Sequence, residues 1–198
     1  MTHRHLLTRR TPARKRRKPL GERRAGWNDA AFLKTGIALG SNLGNRLAQM
    51  AAARDFVLAM HEGCEAPLCS GLYETDPVDC APGTEPFLNA AVEIDTSLAP
   101  AACLAKLRDY EQSAGRAEFR ERNGPRAIDL DLLYMDDLRS DTPDLHLPHP
   151  RMTQRRFVLQ PLTDIRSDLV LSAAGQPVAS LLARLPTAPA VRLVASHW

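Results

Sequence analysis

One stretch near the middle of the chain, residues 126–134, constrains the fold more than any other. Its sequence, Arg-Ala-Ile-Asp-Leu-Asp-Leu-Leu-Tyr, alternates polar and apolar side chains as a half-buried β-strand does. Side chains at i and i+2 of a strand point to the same face, so Asp129 and Asp131 share one face and the aliphatic residues between them share the other. The segment therefore predicts a sheet with one face on a core and two neighbouring carboxylates on the opposite face.

The rest of the chain supplies the other elements of an α+β fold. Predicted strands cover 35–39, 68–74, 88–94 and 126–134, and predicted helices run from the turn at 41–45 to about 60 and from about 100 towards 115. Residues 156–162 predict a further helix or strand, whereas the two prolines of Leu147-Pro148-His149-Pro150 exclude regular structure there. The order βαββαβ predicts an α+β sandwich in which helices pack on a mostly antiparallel sheet.

Charge separates the first residues from the rest of the chain. Residues 1–24 hold ten of the 26 basic residues against one acid, Glu22, so the remaining 16 basic and 22 acidic residues carry −6. High charge without apolar periodicity predicts that residues 1–33 form a disordered basic tail and that 34–198 form a single domain. The tail is either a solubilising extension or a nonspecific nucleic-acid contact, and the acidic body argues against a nucleic-acid-binding module.

The composition also limits where the protein acts. No apolar run approaches the roughly 20 residues that cross a membrane, and the first residues lack the apolar segment of a secretory signal. The four cysteines (Cys64, Cys69, Cys80 and Cys103) have no CxxC spacing, so we expect reduced thiols rather than a zinc site. We therefore expect a cytoplasmic monomer with no membrane partner and no specific nucleic-acid partner.

The paired aspartates and the arginines before them point to phosphate chemistry. Two carboxylates on one strand face repel unless a cation lies between them, and hard oxygen ligands suit Mg²⁺ shared with phosphates. The alternative is an exposed face whose charges meet only water. Four arginines lie within 15 residues upstream of Asp131, and guanidinium groups bind phosphates bidentately: Arg116, Arg120, Arg122 and Arg126. Together the two groups predict a nucleotide-triphosphate site.

Two further clusters complete the candidate site. The rigid His149 between two prolines, followed by Arg155, is either a phosphate contact or a structural histidine. Thr75, Phe87 and Asn89 either stack on and hydrogen-bond a flat heterocycle or belong to loop and core. Residues 36–44 lack the Gly-Lys-Ser/Thr ending of a P-loop, and no protein-kinase motif is present, so the phosphates must be bound in another way.

These segments together resemble the 6-hydroxymethyl-7,8-dihydropterin pyrophosphokinases. The matching stretches run in family order from about residue 35 to 170: 40–44, 73–77, 87–91, 111, 115–116, 124–133, 147–152 and 155–162. Gly-Pro-Arg followed by Asp-x-Asp and then Pro-His-Pro-Arg-Met is a highly specific combination. The resemblance implies a ferredoxin-like sandwich that transfers the diphosphate of ATP to 6-hydroxymethyl-7,8-dihydropterin and releases AMP, in folate biosynthesis.

The resemblance also implies a role for each matching residue. Asp129 and Asp131 would hold two Mg²⁺ ions that bridge the phosphates of ATP. The phosphate clamps would be Arg116 and Arg126, and the other ATP contacts would be Glu111, Leu132, His149 and Arg155. The pterin would lie between Phe87 and Phe157, with further contacts from Thr75, Pro77, Val78 and Asn89.

Some residues depart from the family pattern and keep other functions open. Asp76 and Asp79 stand in a loop that more often holds Pro and Gly, and Glu118 and Asn123 stand where basic residues and Trp are common. A degenerate paralogue that binds pterin but barely transfers is therefore one alternative. A nucleotidyltransferase also combines Gly-Ser with Asp-x-Asp, but on adjoining elements, whereas Ser41 and Asp129 are 88 positions apart.

Overall fold

A computed structural model describes residues 32–77, 83–115, 126–171 and 174–198. The predicted disorder of the tail therefore falls almost entirely outside the described residues. The strands are β1 (Leu33–Ser41), β2 (Leu68–Cys69), β3 (Leu72–Thr75), β4 (Phe87–Thr96), β5 (Asp129–Met135), β6 (Ser140–Thr142), β7 (Leu145–Leu147) and β8 (Val191–Ala195). The helices are α1 (Arg46–Leu58), α2 (Pro100–Ser113), α3 (Arg156–Arg166) and α4 (Val178–Arg184), and a short 3-10 helix at Met152–Gln154 precedes α3.

The main sheet has the strand order β5-β1-β4-β3-β8, and neighbouring strands are antiparallel throughout. Strand β2 pairs with β4 next to β3, and β6 and β7 form a separate hairpin. The chain order β1-α1-β3-β4-α2-β5 is the βαββαβ order that the sequence predicted. This arrangement confirms the ferredoxin-like α+β sandwich.

Helices pack on both faces of the sheet. One face, here called the α1 face, buries alternate residues such as Ile37, Val92 and Leu130 against α1 and α2. The other, called the α3 face, packs Ala91 and Tyr134 against α3, and α4 in turn packs against α3. The strands are buried on both sides where helices cover both faces, which explains their nearly continuous apolar runs.

Local signals explain where the helices begin. The side chain of Asn45 accepts a hydrogen bond from the backbone N–H of Ala48 at 3.2 Å, which caps α1. Helix α2 begins at Pro100 after an extended Ala99, and proline is favoured in a first turn because its fixed φ suits the helix. None of the helices in the described part of the chain is long and apolar enough to cross a membrane.

The structure departs from the predicted elements at the sheet edge and the C-terminus. The predicted strand 68–74 divides at Ser70 and Gly71, where the Ser70 hydroxyl accepts a hydrogen bond from the Ala91 N–H at 2.9 Å. The indole N–H of Trp198 donates to the Ser70 carbonyl at 2.9 Å, so the C-terminus is tied to this break. The β6–β7 hairpin, α4 and β8 were not predicted, because their short segments lack a clear hydrophobic period.

Candidate active site

The two aspartates of β5 lie on the α3 face, as the alternation predicted. Asp129 is opposite Gly40 of the neighbouring strand β1, and Asp131 is opposite Ala38. Gly40 is in turn opposite Asn89 of β4, so Asp129 and Asn89 are two strand spacings apart, about 10 Å. Gly40 and Ala38 of β1 have no side chain or a small one, so the sheet surface between β5 and β4 leaves room for a ligand.

Arg126 connects the first aspartate to an aromatic ring. Its Nη1 lies 2.5 Å from Oδ2 of Asp129, and its guanidinium carbon lies 5.9 Å from the centroid of the Phe87 ring. The backbone of Arg126 exchanges two hydrogen bonds with Asn42, which follows β1 (2.8 and 3.1 Å). The buried Nε of Arg126 and Nδ2 of Asn42 have no hydrogen-bond partner within the described chain. Buried donors normally find acceptors, so this arrangement favours an acceptor supplied by a ligand.

Arg155 makes the corresponding connection for the second aspartate. Its Nη1 lies 3.4 Å from Oδ2 of Asp131, and its guanidinium carbon lies 5.5 Å from the centroid of the Phe157 ring. The Phe157 side chain is 37% exposed, which is unusual for a phenylalanine beside a core. The sheet and the first turn of α3 thus bring together two carboxylates, two guanidinium groups and two aromatic rings.

The electrostatics of the site favour an added cation. Burial, and then the charge of Asp129, raise the pKa of the Asp131 carboxyl, while His149, Arg155 and Arg126 act in the opposite direction. Burial lowers the pKa of His149 despite the nearby Asp131, so its imidazole is neutral at pH 7. The ionised form of Asp131 is therefore disfavoured by its buried position, and a metal ion beside it would stabilise the negative charge.

A buried polar pair lies beside the Phe87 ring. The Asn89 amide donates to the Thr75 hydroxyl at 2.9 Å, and both side chains are buried. Thr75 and Phe87 are opposite each other in the ladder between β3 and β4. Tyr73, two residues before Thr75, donates to the carboxylate of Asp164 on α3 at 2.8 Å. The three residues predicted to read a heterocycle are thus adjacent in space.

Two predicted ATP contacts lie elsewhere. Leu132 is buried in the core on the α1 face, and Glu111 of α2 is buried on the same side. The Glu111 carboxylate accepts the backbone N–H of Leu130 at 2.8 Å, so it fixes the strand between the two aspartates. Their contact with adenosine remains a prediction. Pro77 ends a described segment, while Val78, Arg116, Arg120 and Arg122 lie outside the described residues.

Sequence reasoning missed two sets of partners that hold the site. Tyr73 and Asp164 are 91 positions apart, and no local pattern joins them. Asp76, one of the departures from the family pattern, forms an ion pair at 2.8 Å with Arg192 of the unpredicted strand β8. The Arg192 guanidinium lowers the pKa of Asp76. Both pairs depend on which strand and which helix lie next to β3.

An α+β sandwich with paired strand carboxylates, flanking arginines and an aromatic polar pocket is typical of enzymes that transfer phosphoryl groups. Residues 36–167 match the family described as 7,8-dihydro-6-hydroxymethylpterin-pyrophosphokinase (HPPK), and the chain belongs to that family. The enzyme class and reaction predicted from the sequence are thereby confirmed: diphosphate transfer from ATP to 6-hydroxymethyl-7,8-dihydropterin, in folate biosynthesis.

Relatives from several organisms agree with this placement. The chain is 43% identical over 129 residues to 2-amino-4-hydroxy-6-hydroxymethyldihydropteridine pyrophosphokinase of Bacillus subtilis, covering 65% of this chain and 75% of that protein. It is 39% identical over 151 residues to the enzyme of the same name from Pseudomonas aeruginosa, covering 76% of this chain and 90% of that protein.

Longer proteins contain a similar part. A folate synthesis bifunctional protein of Arabidopsis thaliana is 40% identical over 134 residues, and the chain covers 27% of its length. Among solved structures, a Plasmodium falciparum HPPK-DHPS with pterin and p-hydroxybenzoate matches with a TM-score of 0.59 at 14% identity, over 79% of this chain and 43% of that one. This structural likeness bears on the fold.

Proposed function

We propose that Asp129 and Asp131 hold two Mg²⁺ ions and that ATP binds with its phosphates against them. The observation that carries this proposal is the pair of arginines, each of which contacts one aspartate and one aromatic ring. Within the described residues, no cluster of three or more His, Cys, Asp or Glu side chains could enclose a metal. Two carboxylates fit Mg²⁺ because this ion takes its remaining oxygens from phosphates and water. Bound Mg²⁺ would supply charge neutralisation and Lewis acidity at the phosphates.

The residues around the aspartates position the phosphates for transfer. Arg126, whose Nε lacks a partner among the described residues, is in place to donate to a phosphate oxygen, and we assign Arg116 the same role from the sequence. We assign Arg155 and His149, which lie beside Asp131, to contact the phosphates as well. The hydroxymethyl oxygen of the pterin attacks the β-phosphorus and gives up its proton to solvent. The bond between the β-phosphorus and the α–β bridging oxygen breaks, and AMP leaves with that oxygen. Catalysis arises from positioning and charge, without a covalent enzyme intermediate.

The pterin is recognised on the α3 face of the sheet, on the β4 side of β1. Phe87 and Phe157 provide aromatic surfaces, and Asn89 with Thr75 provides the polar edge, together with Pro77 and Val78. Burying Asn89 and Thr75 makes recognition selective, since an analogue without matching groups leaves them unpaired. Glu111 and Leu132 would contribute to adenosine binding by way of the backbone of β5. This strand lies at the edge of the main sheet.

AMP release from ATP and Mg²⁺, with and without 6-hydroxymethyl-7,8-dihydropterin, tests this proposal. We expect pterin-dependent AMP from the wild type and a loss of about a hundred- to a thousandfold in Asp131→Ala, the scale seen when a transition-state charge loses its stabilisation. Asp55→Ala, on the exposed side of α1, is the matched control and should keep wild-type activity. Pyrophosphate release would support a nucleotidyltransferase, and pterin binding without AMP would support a degenerate paralogue; either result refutes the proposal.

We also propose that the enzyme acts as a monomer in the cytoplasm. The described cysteines Cys64, Cys69 and Cys103 are free thiols, which persist in a reducing compartment. The described site residues of β3, β4, β5 and α3 lie together within one chain, which supports a monomeric enzyme. Sedimentation of the active enzyme at assay concentration would reveal a dimer if this proposal is wrong.

A further inference from the structure

A chain of charged side chains lies behind the pterin side of the site, on the α1 face. Nη1 of Arg46, the first residue of α1, donates to Oε2 of Glu74 at 3.1 Å and to the carbonyl of Pro86 at 2.6 Å. The other Glu74 oxygen lies 3.6 Å from Nη2 of Arg192, which also binds Asp76 at 2.8 Å. We call Arg46, Glu74, Asp76 and Arg192 the Arg46 cluster.

The cluster is connected through the backbone to two residues of the candidate pterin site. Glu74 directly precedes Thr75, and Pro86 directly precedes Phe87. Thr75 and Phe87 are opposite each other in the β3–β4 ladder. Because side chains alternate along a strand, Glu74 lies on the α1 face while Thr75 lies on the α3 face. Arg46 therefore contacts both β3 and β4 from the α1 face, next to the paired residues Thr75 and Phe87.

The two ion pairs of the cluster differ in how far their side chains are exposed to solvent. The side chains of Arg46 and Glu74 are 27% and 26% exposed, whereas those of Arg192 and Asp76 are 50% and 55% exposed. Exposed ion pairs contribute little because water and salt screen them. The bonds of Arg46 are charge-assisted and better shielded, so they fix geometry more strongly.

We propose that Arg46 is a positioning residue for the pterin: through Glu74 and the Pro86 carbonyl it holds Thr75 and Phe87 in the register that the pterin requires. Arg192 completes the arrangement by neutralising Asp76, whose negative charge would otherwise repel Glu74. This inference rests on the proposed pterin site at Thr75, Phe87 and Asn89. Asp129 and Asp131 lie on β5, beyond β1, so the effect of Arg46 should fall first on the pterin site and only secondarily on the phosphate site.

Equilibrium binding of 6-hydroxymethyl-7,8-dihydropterin, measured by calorimetry with Mg²⁺ and a non-hydrolysable ATP analogue, tests the inference alongside steady-state kinetics. Arg46→Ala should raise the pterin Kd and KM about tenfold, which corresponds to the loss of one hydrogen bond to a charged group. The kcat and the KM for ATP should stay within about twofold, a change too small to represent a lost bond.

Two companion variants make the result specific. Arg46→Lys should restore pterin binding, since both bonds come from one nitrogen and an ammonium can donate to both acceptors. Arg54→Ala, which removes another arginine of α1 paired with its neighbour Asp55, should bind pterin as the wild type does.

The possible outcomes separate this inference from the proposed function. If the wild type binds pterin and Arg46→Ala binds it equally well, the positioning role alone is overturned. An equal loss of kcat and of affinity for both substrates, or a failure of Arg46→Lys to recover, indicates a general structural role and also overturns it. If the wild type itself does not bind pterin, the proposed function fails together with the inference.

Discussion

Replacing Arg166 by methionine should destabilise the fold, because this residue pairs with a buried carboxylate between α3 and the sheet. Nη1 of Arg166 lies 2.9 Å from Oε1 of Glu93, and the Tyr134 hydroxyl donates to Oε2 of Glu93 at 2.5 Å. The side chain of Glu93 is 4% exposed and that of Arg166 is 25% exposed. The substitution leaves a buried carboxylate with one neutral donor.

The expected loss in the free energy of unfolding is about 3 kcal/mol. Removing one partner of a buried ion pair typically costs about 3–5 kcal/mol. We take the lower end, since Arg166 is partly exposed and the Tyr134 hydroxyl remains in place to solvate Glu93. Against a typical stability of about 5–15 kcal/mol, this loss is large enough to measure and leaves the protein folded in most of that range.

Urea unfolding followed by far-ultraviolet circular dichroism measures the loss. The triple variant Arg166→Met, Glu93→Leu and Tyr134→Phe removes the whole polar group and should recover most of the stability, because apolar replacement of a buried ion pair is often neutral. Arg184→Met, in the last turn of α4 and exposed, is the control and should change stability by less than about 0.5 kcal/mol. A loss below about 1 kcal/mol for Arg166→Met, or a triple variant as unstable as the single one, would refute the reasoning.

Three further predictions concern the same face of the sheet. Gly36→Ala places a Cβ where the Tyr134 ring lies, so we expect a loss of at least about 1–3 kcal/mol in thermal unfolding, and an unchanged melting temperature would contradict this. Burial and the bond to Asp164 raise the pKa of Tyr73 to about 12. The unfolded chain releases this proton near pH 10, so the stability that the hydroxyl provides is complete below pH 10 and is lost towards pH 12. The difference in unfolding free energy between wild type and Tyr73→Phe should therefore shrink between pH 10 and pH 12. A constant difference would be inconsistent with this prediction. Asn89→Ala should raise the KM for the pterin at least about tenfold and leave the KM for ATP unchanged, because a buried polar contact is lost. An equal rise in KM for both substrates would argue against placing Asn89 on the pterin side.

Much of the candidate site was accessible from short-range patterns. The alternation around Asp129 and Asp131 placed both carboxylates on one face, and the structure has them there. The residues predicted for the heterocycle, Thr75, Phe87 and Asn89, are neighbours on two paired strands. The patterns did not reveal that Glu111 bonds to the backbone of β5, since this contact requires α2 to lie behind that strand.

The periodicity of each main element, the chemistry of the site residues and the family could be read directly from the amino-acid sequence. These properties are local, because a side chain's face follows from its position within a strand or helix and a motif follows from adjacent residues. In contrast, Arg192 neutralises Asp76 across 116 positions and Arg166 pairs with Glu93 across 73, and both contacts became visible only in the folded chain. Such partners depend on strand order, register and helix docking, which arise from the packing of the whole core and leave no periodic trace in any one segment.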